Sequence, residues 1–429
     1  MDNRRLILLL VFSFSLIMLW DAWQRQNAPK PAVSAPSPTA AAPAPGVVPT
    51  PTLPAAMTGV AAVPAAIAVP VGAATVKIRT DLLVVDVSSQ GGDITRVELV
   101  RHRDSEDKSK RFVLLENGGK HVYLAQSGVI GDGLPNHKME WKLTPGERVL
   151  KDGEDKLELR LEATAATGAK VAKTYVFSRG SYQVEVRHEG VAPDAHAYYQ
   201  ITRDGKPAGE QSNAMMMGVV TFTGPAVYTD AEKFQKVEFA DILKGKAKFA
   251  QKADNGWVAM IQHYFVSAWL PPAGTAREFF MRKVGEDLYS AGVIVPVGVD
   301  GKSSVSFYVG PQEQEKLEKV APGLDLVVDY GWLTVIAAPL FWVLAAIYKL
   351  VGNWGWAIMG LTLLLKLAFF PLSAASYKSM AKMRVLTPKL VKLKEVYGDD
   401  KQRLNQEMMA LYKKEKVNPL GGCLPVLVQ

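Results

Sequence analysis

Polar and apolar positions alternate with a period of two through much of the middle of this 429-residue chain. From Val76 to about Tyr330, short runs rich in β-branched and aromatic residues are separated by glycine, proline and aspartate. The runs include VKIRT from Val76, LLVVDVSS from Leu82, ITRVELV from Ile94 after the turn QGGD, KLELRLEAT from Lys156, KTYVFS from Lys173 and YQVEVRHEG from Tyr182. GVVTFTG from Gly218, GWVAMIQHYFVSAWLPP from Gly256 and SSVSFYVGP from Ser303 continue the series. Side chains on a strand point to alternate faces, so each run predicts a strand with a buried side. Many such strands at this spacing predict an all-β sandwich, and about 250 residues suffice for one large core. Residues 312–320, QEQEKLEKV, predict a short helix leading out of it.

The pattern changes towards both ends. Residues 6–20, LILLLVFSFSLIMLW, follow Arg4 and Arg5 and form a positively charged start with an apolar core. Asp21, Ala22, Trp23 and Gln24 offer no small-x-small cleavage site, so 1–26 is read as a retained signal-anchor helix with its arginines on the inner side. Residues 27–75 are almost entirely Ala, Pro, Val, Thr and Ser, a composition that cannot bury a core and favours extended polyproline geometry. This stretch is read as a tether, with a fully extended reach on the order of 150 Å at roughly 3.1 Å per residue.

Past the β region the chain has two apolar stretches, 331–350 and 354–372, either of which is long enough to cross a bilayer. Charge decides between them. Residues 373–420 hold eleven Lys and Arg against five Asp and Glu, and so supply +6 of the net charge of +8. With the β region outside, one crossing returns these cations to the cytoplasm, whereas two would leave them outside against the positive-inside rule. The stretch 331–350 contains Pro339 and the boundary-type residues Trp332, Trp342, Tyr348 and Lys349, so it is assigned to the interface. The second transmembrane helix is assigned to 353–372.

Within that span lies Lys366. A lysine at membrane depth is costly and by default functional, and Thr362, four residues earlier, shares its helix face. Snorkelling remains open, because Lys366 precedes Leu372 by six residues, about 9 Å of helix at about 1.5 Å per residue. Residues 373–419 read as a basic helical hairpin. Met383, Leu386, Leu390, Leu393 and Tyr397 on one arm, and Leu404, Met408 and Leu411 on the other, step by three and four and predict the packing seam. Pro388 removes a backbone donor and predicts a kink in the first arm. Residues 420–429 become apolar again and read as the start of a third span.

Basic residues beside a span suit anionic lipid headgroups, ribosomal RNA or an acidic partner. The one cysteine, Cys423, excludes an intrachain disulfide, and paired cysteines and HExxH are absent, so no metal or cofactor is expected. Gly301, Lys302 and Ser303 lack the preceding glycine of a phosphate loop, Pro296 standing there, and no GxSxG or GxGxxG occurs. The six histidines are isolated in sequence.

VGNWG at 351–355, FFPLSAASYKSMAKMRVLTPKL at 369–390 and KEVYGDDKQRLNQEMMALYKKEKVNPLGGCLPVLVQ from Lys394 resemble the YidC-type membrane protein insertases. LAQSG at 124–128, GWVAM at 256–260, YFVSAW at 264–269 and YVGP at 308–311 are similar to motifs of the large periplasmic domain found in the Gram-negative form. The resemblance implies a multi-domain membrane protein with a β-supersandwich in the periplasm, an interfacial helix, a helical transmembrane core and a cytoplasmic hairpin. That core has five spans around a hydrophilic groove open to cytoplasm and lipid. The groove cation falls on Lys366, where many members have arginine, so the charge is kept without the planar fork that grips a carboxylate bidentately. Thr362 matches a groove-facing position.

The hairpin, with Lys378, Lys382, Arg384, Lys389, Lys392, Lys394, Lys401, Arg403, Lys413 and Lys414, would receive substrates near the ribosome. The resemblance further implies a multi-pass inner membrane protein with a cytoplasmic N-terminus, its partners being nascent membrane proteins, the Sec translocon with its accessory subunits, the ribosome and anionic lipids, but not DNA. Against the family's five spans the chain reads as a shortened form. The implied function is transfer of hydrophobic segments from cytoplasm to bilayer without covalent chemistry, alone or with the translocon. The competing readings are an anchored periplasmic scaffold that binds a partner or glycan through the β domain, and a sugar-modifying enzyme.

Overall fold

The computed structural model describes residue 63 and residues 73–104, 107–118, 121–205, 222–330, 334–397 and 400–415. The signal-anchor, most of the tether, the start of a third span and most of the run from Gly218 lie outside the described residues.

Among the described residues, eighteen strands form two nine-stranded antiparallel sheets. In spatial order the first is Thr75–Arg79, Leu83–Ser88, Ile94–Arg103, Arg111–Gly118, His121–Ile130, His196–Asp204, Leu288–Pro296, Arg277–Lys283 and Lys252–Ala253. The second is Lys233–Lys236, Thr223–Thr229, Trp257–Gln262, Phe265–Leu270, Ser303–Pro311, Gln183–Glu189, Lys170–Ser178, Lys156–Thr164 and Lys142–Leu143. One apolar cluster fills the space between them, including Val97, Leu115, Trp141, Leu159, Val186, Tyr199, Trp269, Val293 and Phe307. Trp269 lies 4.4 Å from Phe307 and 5.1 Å from Tyr199, ring centre to ring centre. This is the sandwich that the alternating runs predict.

The QGGD turn shows why its glycines are needed. Gly91 and Gly92 have φ of 74° and 57°, and Ser88 N donates to Asp93 O at 2.9 Å to close the turn. A Cβ on Gly91 would lie 2.5 Å from the carbonyl oxygen of His137, so only glycine fits.

Three central strands of the first sheet, His121–Ile130, His196–Asp204 and Leu288–Pro296, were not marked by alternation. Almost every residue in them is buried, on both faces of the sheet. A strand buried on both sides has no solvent side for a polar residue to signal.

Six helices are described. Helix α1 (Phe239–Leu243) lies between strands, and α2 (Gln314–Val320) leads out of the sandwich and is followed by a 3-10 turn, Leu324–Val327. Helices α3 (Thr334–Val351), α4 (Trp354–Ala368), α5 (Phe370–Tyr397) and α6 (Lys401–Lys414) complete the described chain. Among them α3 alone is long and apolar enough to cross a membrane unaided, and α4 qualifies only jointly with α5, from which it is bent by 55°. The apolar run read as one segment over 353–372 is thus divided at Phe369. Pro371 falls in the first turn of α5, where a missing backbone donor has no intrahelical partner to lose. Helix α5 continues through Pro388 to Tyr397.

Candidate functional site

Helices α3 and α4 are joined by Gly352 and Asn353 alone, and both junction residues are specified. Gly352 adopts φ of 69°, and its N–H donates to Tyr348 O at 2.7 Å to end α3. Asn353 Oδ1 accepts from Gly355 N at 2.8 Å and Trp356 N at 3.3 Å, capping the start of α4. The helices meet through a Tyr348–Trp354 stack at 4.0 Å and through small residues. Ala357 is fully buried, and a Cβ on Gly360 would already touch Ile347.

On α4, Thr362 and Lys366 follow Ile358 at steps of four and are exposed on one stripe. The Thr362 hydroxyl donates to Ile358 O at 2.8 Å, so its hydrogen is committed while its oxygen lone pairs face outwards. Lys366 lies in the last turn of α4, where the helix dipole favours a cation. Around the stripe Trp356, Ile358, Met359, Leu363, Leu364 and Leu367 are all exposed. Such a continuous apolar surface is stable against lipid or protein and not against water.

The hairpin is built on its seam. Leu386 is buried, and Met383, Leu390, Leu393, Tyr397, Leu404, Met408 and Leu411 are half-buried among exposed neighbours. Asp400 caps α6 by accepting from Gln402 N at 3.1 Å and Arg403 N at 3.0 Å, and Lys401 opens that helix. Lys389 Nζ meets Glu415 Oε1 at 2.6 Å and joins the two arms. Lys378, Lys382, Arg384, Lys389, Lys392, Lys394, Arg403, Lys413 and Lys414 are exposed. The hairpin therefore presents a cationic surface over an apolar seam.

Sequence reasoning missed a polar cluster in the β domain. Gln126 Nε2 donates to Asp93 Oδ2 at 2.8 Å, and Gln126 Oε1 accepts from Gln200 Nε2 at 3.0 Å and from Thr202 Oγ1 at 2.9 Å. Lys173 Nζ donates to the carbonyls of Gly91 and Ser127, each at 2.8 Å, and lies 4.8 Å from the Trp141 ring centre. Burial pushes the Asp93 carboxyl up to about 7 against the opposing pull of Lys173, and burial lowers Lys173 to about 8. The signal available in sequence was LAQSG. Its Gln126 and Ser127 enter this network, and Gly128 leaves room for the Tyr198 hydroxyl, which a Cβ there would meet at 2.7 Å.

A surface cavity of about 650 Å³ lies beside Arg187, Glu189, Asp300, Lys302 and Ser303. Its carboxylates are already engaged: Glu189 with Arg160 at 3.1 Å and Lys302 at 3.6 Å, and Asp300 with the Lys302 amide at 3.2 Å. Among the described residues no group of three or more His, Cys, Asp or Glu is placed to hold a metal ion.

Comparison with known proteins gives this architecture relatives. The family described as YidC periplasmic domain matches residues 75–343, and that described as 60Kd inner membrane protein matches 346–429. The membrane protein insertase YidC of Aromatoleum aromaticum is 60% identical over 440 residues, covering 100% of this chain and 79% of that protein. That of Dechloromonas aromatica is 56% identical over 443 residues, again covering 100% of this chain and 79% of the relative. A crystal structure of an active YidC insertase with its first transmembrane domain resolved is 17% identical, covers 85% of this chain and 71% of that one, and has a TM-score of 0.31.

Proposed function

The chain belongs to the YidC family of membrane protein insertases, and from that premise we propose how its parts divide the work of moving a hydrophobic segment into the inner membrane. The hairpin of α5 and α6 faces the cytoplasm and receives the substrate, its cations meeting the ribosome or anionic headgroups. Lys366 and Thr362 on α4 form a hydrated foothold that transiently attracts acidic residues in a short tail destined for the far side. Transfer is driven by burial of the substrate's apolar surface in lipid, worth about 25 cal/mol per Å², while the foothold lowers the barrier for the polar part. The chemistry is non-covalent, so the protein is not an enzyme in the catalytic sense. The Sec translocon and its accessory subunits are further partners for substrates that need both.

The topology proposed is a cytoplasmic N-terminus, a retained anchor over 1–26, a tether over 27–75, a periplasmic β domain, an interfacial helix over 331–350 and a crossing at 353–372. What supports the interfacial helix is an ion pair. Lys349 Nζ, near the far end of α3, lies 3.2 Å from Glu315 Oε1 on α2, which belongs to the β domain. The pair contributes little energy at the surface, but it records position. A helix starting at Thr334 and standing across the bilayer would carry Lys349, fifteen residues on, about 23 Å from the domain it leaves.

The observation that carries the foothold is the placement of Thr362 and Lys366 on one exposed stripe inside an otherwise apolar surface. The test uses the full-length protein in proteoliposomes and a single-span substrate with an acidic tail, comparing Lys366 with Lys366→Ala and Lys366→Arg. Insertion should fall about tenfold with alanine, equivalent to about 1.4 kcal/mol, and recover with arginine. Full activity with alanine would sink the electrostatic foothold and leave Lys366 as a snorkelling residue.

A further inference from the structure

Successive residues of a strand face opposite ways, so the central strands of the first sheet divide cleanly. Ala197, Tyr199, Ile201, Ala291 and Val293 belong to the core between the sheets. Tyr198, Gln200, Ile294 and Phe280 face away from it, yet Tyr198 and Gln200 are fully buried and Ile294 is nearly so. Over this outer face lies Val63, a residue of the Ala/Pro-rich tether. Its exposure is only 6%, and it packs in a separate apolar cluster with Ile130, Tyr198, Ile294 and Phe280.

A polar contact fixes the same residue. Arg282 Nη1 donates to Val63 O at 2.7 Å, and the guanidinium lies 5.3 Å from the Phe280 ring centre. The Phe280 ring in turn lies against Gly292, where a Cβ would fall 2.5 Å from its Cζ. Gly292 thus makes room for Phe280 to form a wall of the pocket. The site combines apolar contacts for the Val63 side chain with a cation for the adjoining carbonyl.

We propose that the outer face of the first sheet is a docking site for the chain's own tether, with Val63 as the anchoring side chain and Arg282 as the backbone clamp. Chain length allows it. From Val63 to Thr75 is twelve residues, at most about 40 Å extended, and the site spans four to seven strand positions from the Thr75–Arg79 edge, about 19–34 Å at about 4.8 Å each.

The test measures maleimide modification rates in full-length protein in membrane vesicles. Val63→Cys and Ala44→Cys are made separately in a Cys423→Ser background, the second as a control in the same kind of sequence. Docking predicts that Cys at 63 reacts at least tenfold more slowly than Cys at 44. It also predicts that Arg282→Ala or Phe280→Ala restores the control rate while the near-ultraviolet circular dichroism of the β domain is kept. Equal rates at 63 and 44 would overturn the proposal. So would slow reaction at 63 that neither substitution relieves, because the protection would then come from elsewhere.

Discussion

Asp93 and Lys173 are charged-type side chains placed where water does not reach, and each is perturbed in the direction that burial dictates. Between the ordinary aspartate value of 3.8 and about 7, the folded domain holds a proton that the unfolded chain has released. The stability Asp93 contributes is therefore present below 3.8 and is lost as pH rises towards about 7. Lys173 works the other way. Between about 8 and 10.5 the unfolded chain holds the extra proton, so its contribution is present above 10.5 and is lost as pH falls through about 8. The pair thus supports the domain least between about 7 and about 8. Asp93→Asn should flatten the decline between about 4 and about 7, which urea midpoints across that range would check. Gly256 offers a steric counterpart, since φ is 92° and a Cβ would lie 1.8 Å from the Tyr228 carbonyl oxygen. Gly256→Ala should cost about 2–4 kcal/mol in denaturant titration. Gly153→Ala, at φ of 89° with nothing within 4 Å, should cost about 1 kcal/mol.

At the scale of elements, the hairpin of α5 and α6 shows what periodicity carries. The eight apolar positions spaced by three and four are the ones turned inwards, because a helix with one apolar stripe has one face to hide. Leu386→Ala should loosen the hairpin by about 2–3 kcal/mol, read as faster amide exchange in both arms. Lys389→Ala, which breaks only the exposed pair with Glu415, should change exchange by about 0.5 kcal/mol or less. Two features were not legible in the same way. The division at Phe369 is hidden by an apolar run that continues across it, so hydropathy sees one segment where Pro371 starts another. The central strands of the first sheet are hidden because their outward residues, Gln126, Gln200 and Thr202, satisfy one another instead of facing water. The buried network became visible only when strands distant in sequence were paired, whereas Lys366 and Thr362 were readable at once as polar residues in an apolar run.

At the scale of the whole molecule, a β domain outside and a cationic hairpin inside must be joined by an odd number of crossings after the β domain. On the proposed topology α3 lies along the surface and α4 provides that crossing. Lys349→Cys, made with Cys423→Ser, should then react with a membrane-impermeant thiol reagent applied from the periplasmic side. Reaction from the cytoplasmic side alone would mean that α3 itself crosses. The family match and the sequence agree on a periplasmic β domain followed by an inner-membrane segment; the proposed order of the helices across the bilayer rests on charge and on the position of Lys349.

On the proposed topology the bend at Phe369 also acts on the lipid. Helix α4 has 15 residues, about 22 Å of length, against a hydrocarbon thickness of about 30 Å. On the proposed topology α5 turns away by 55° before that gap is closed. A short helix that cannot lengthen draws the two leaflets towards each other, a negative hydrophobic mismatch spread over its neighbouring lipids. A substrate arriving beside α4 would meet a bilayer already compressed, with less hydrocarbon for its polar end to traverse.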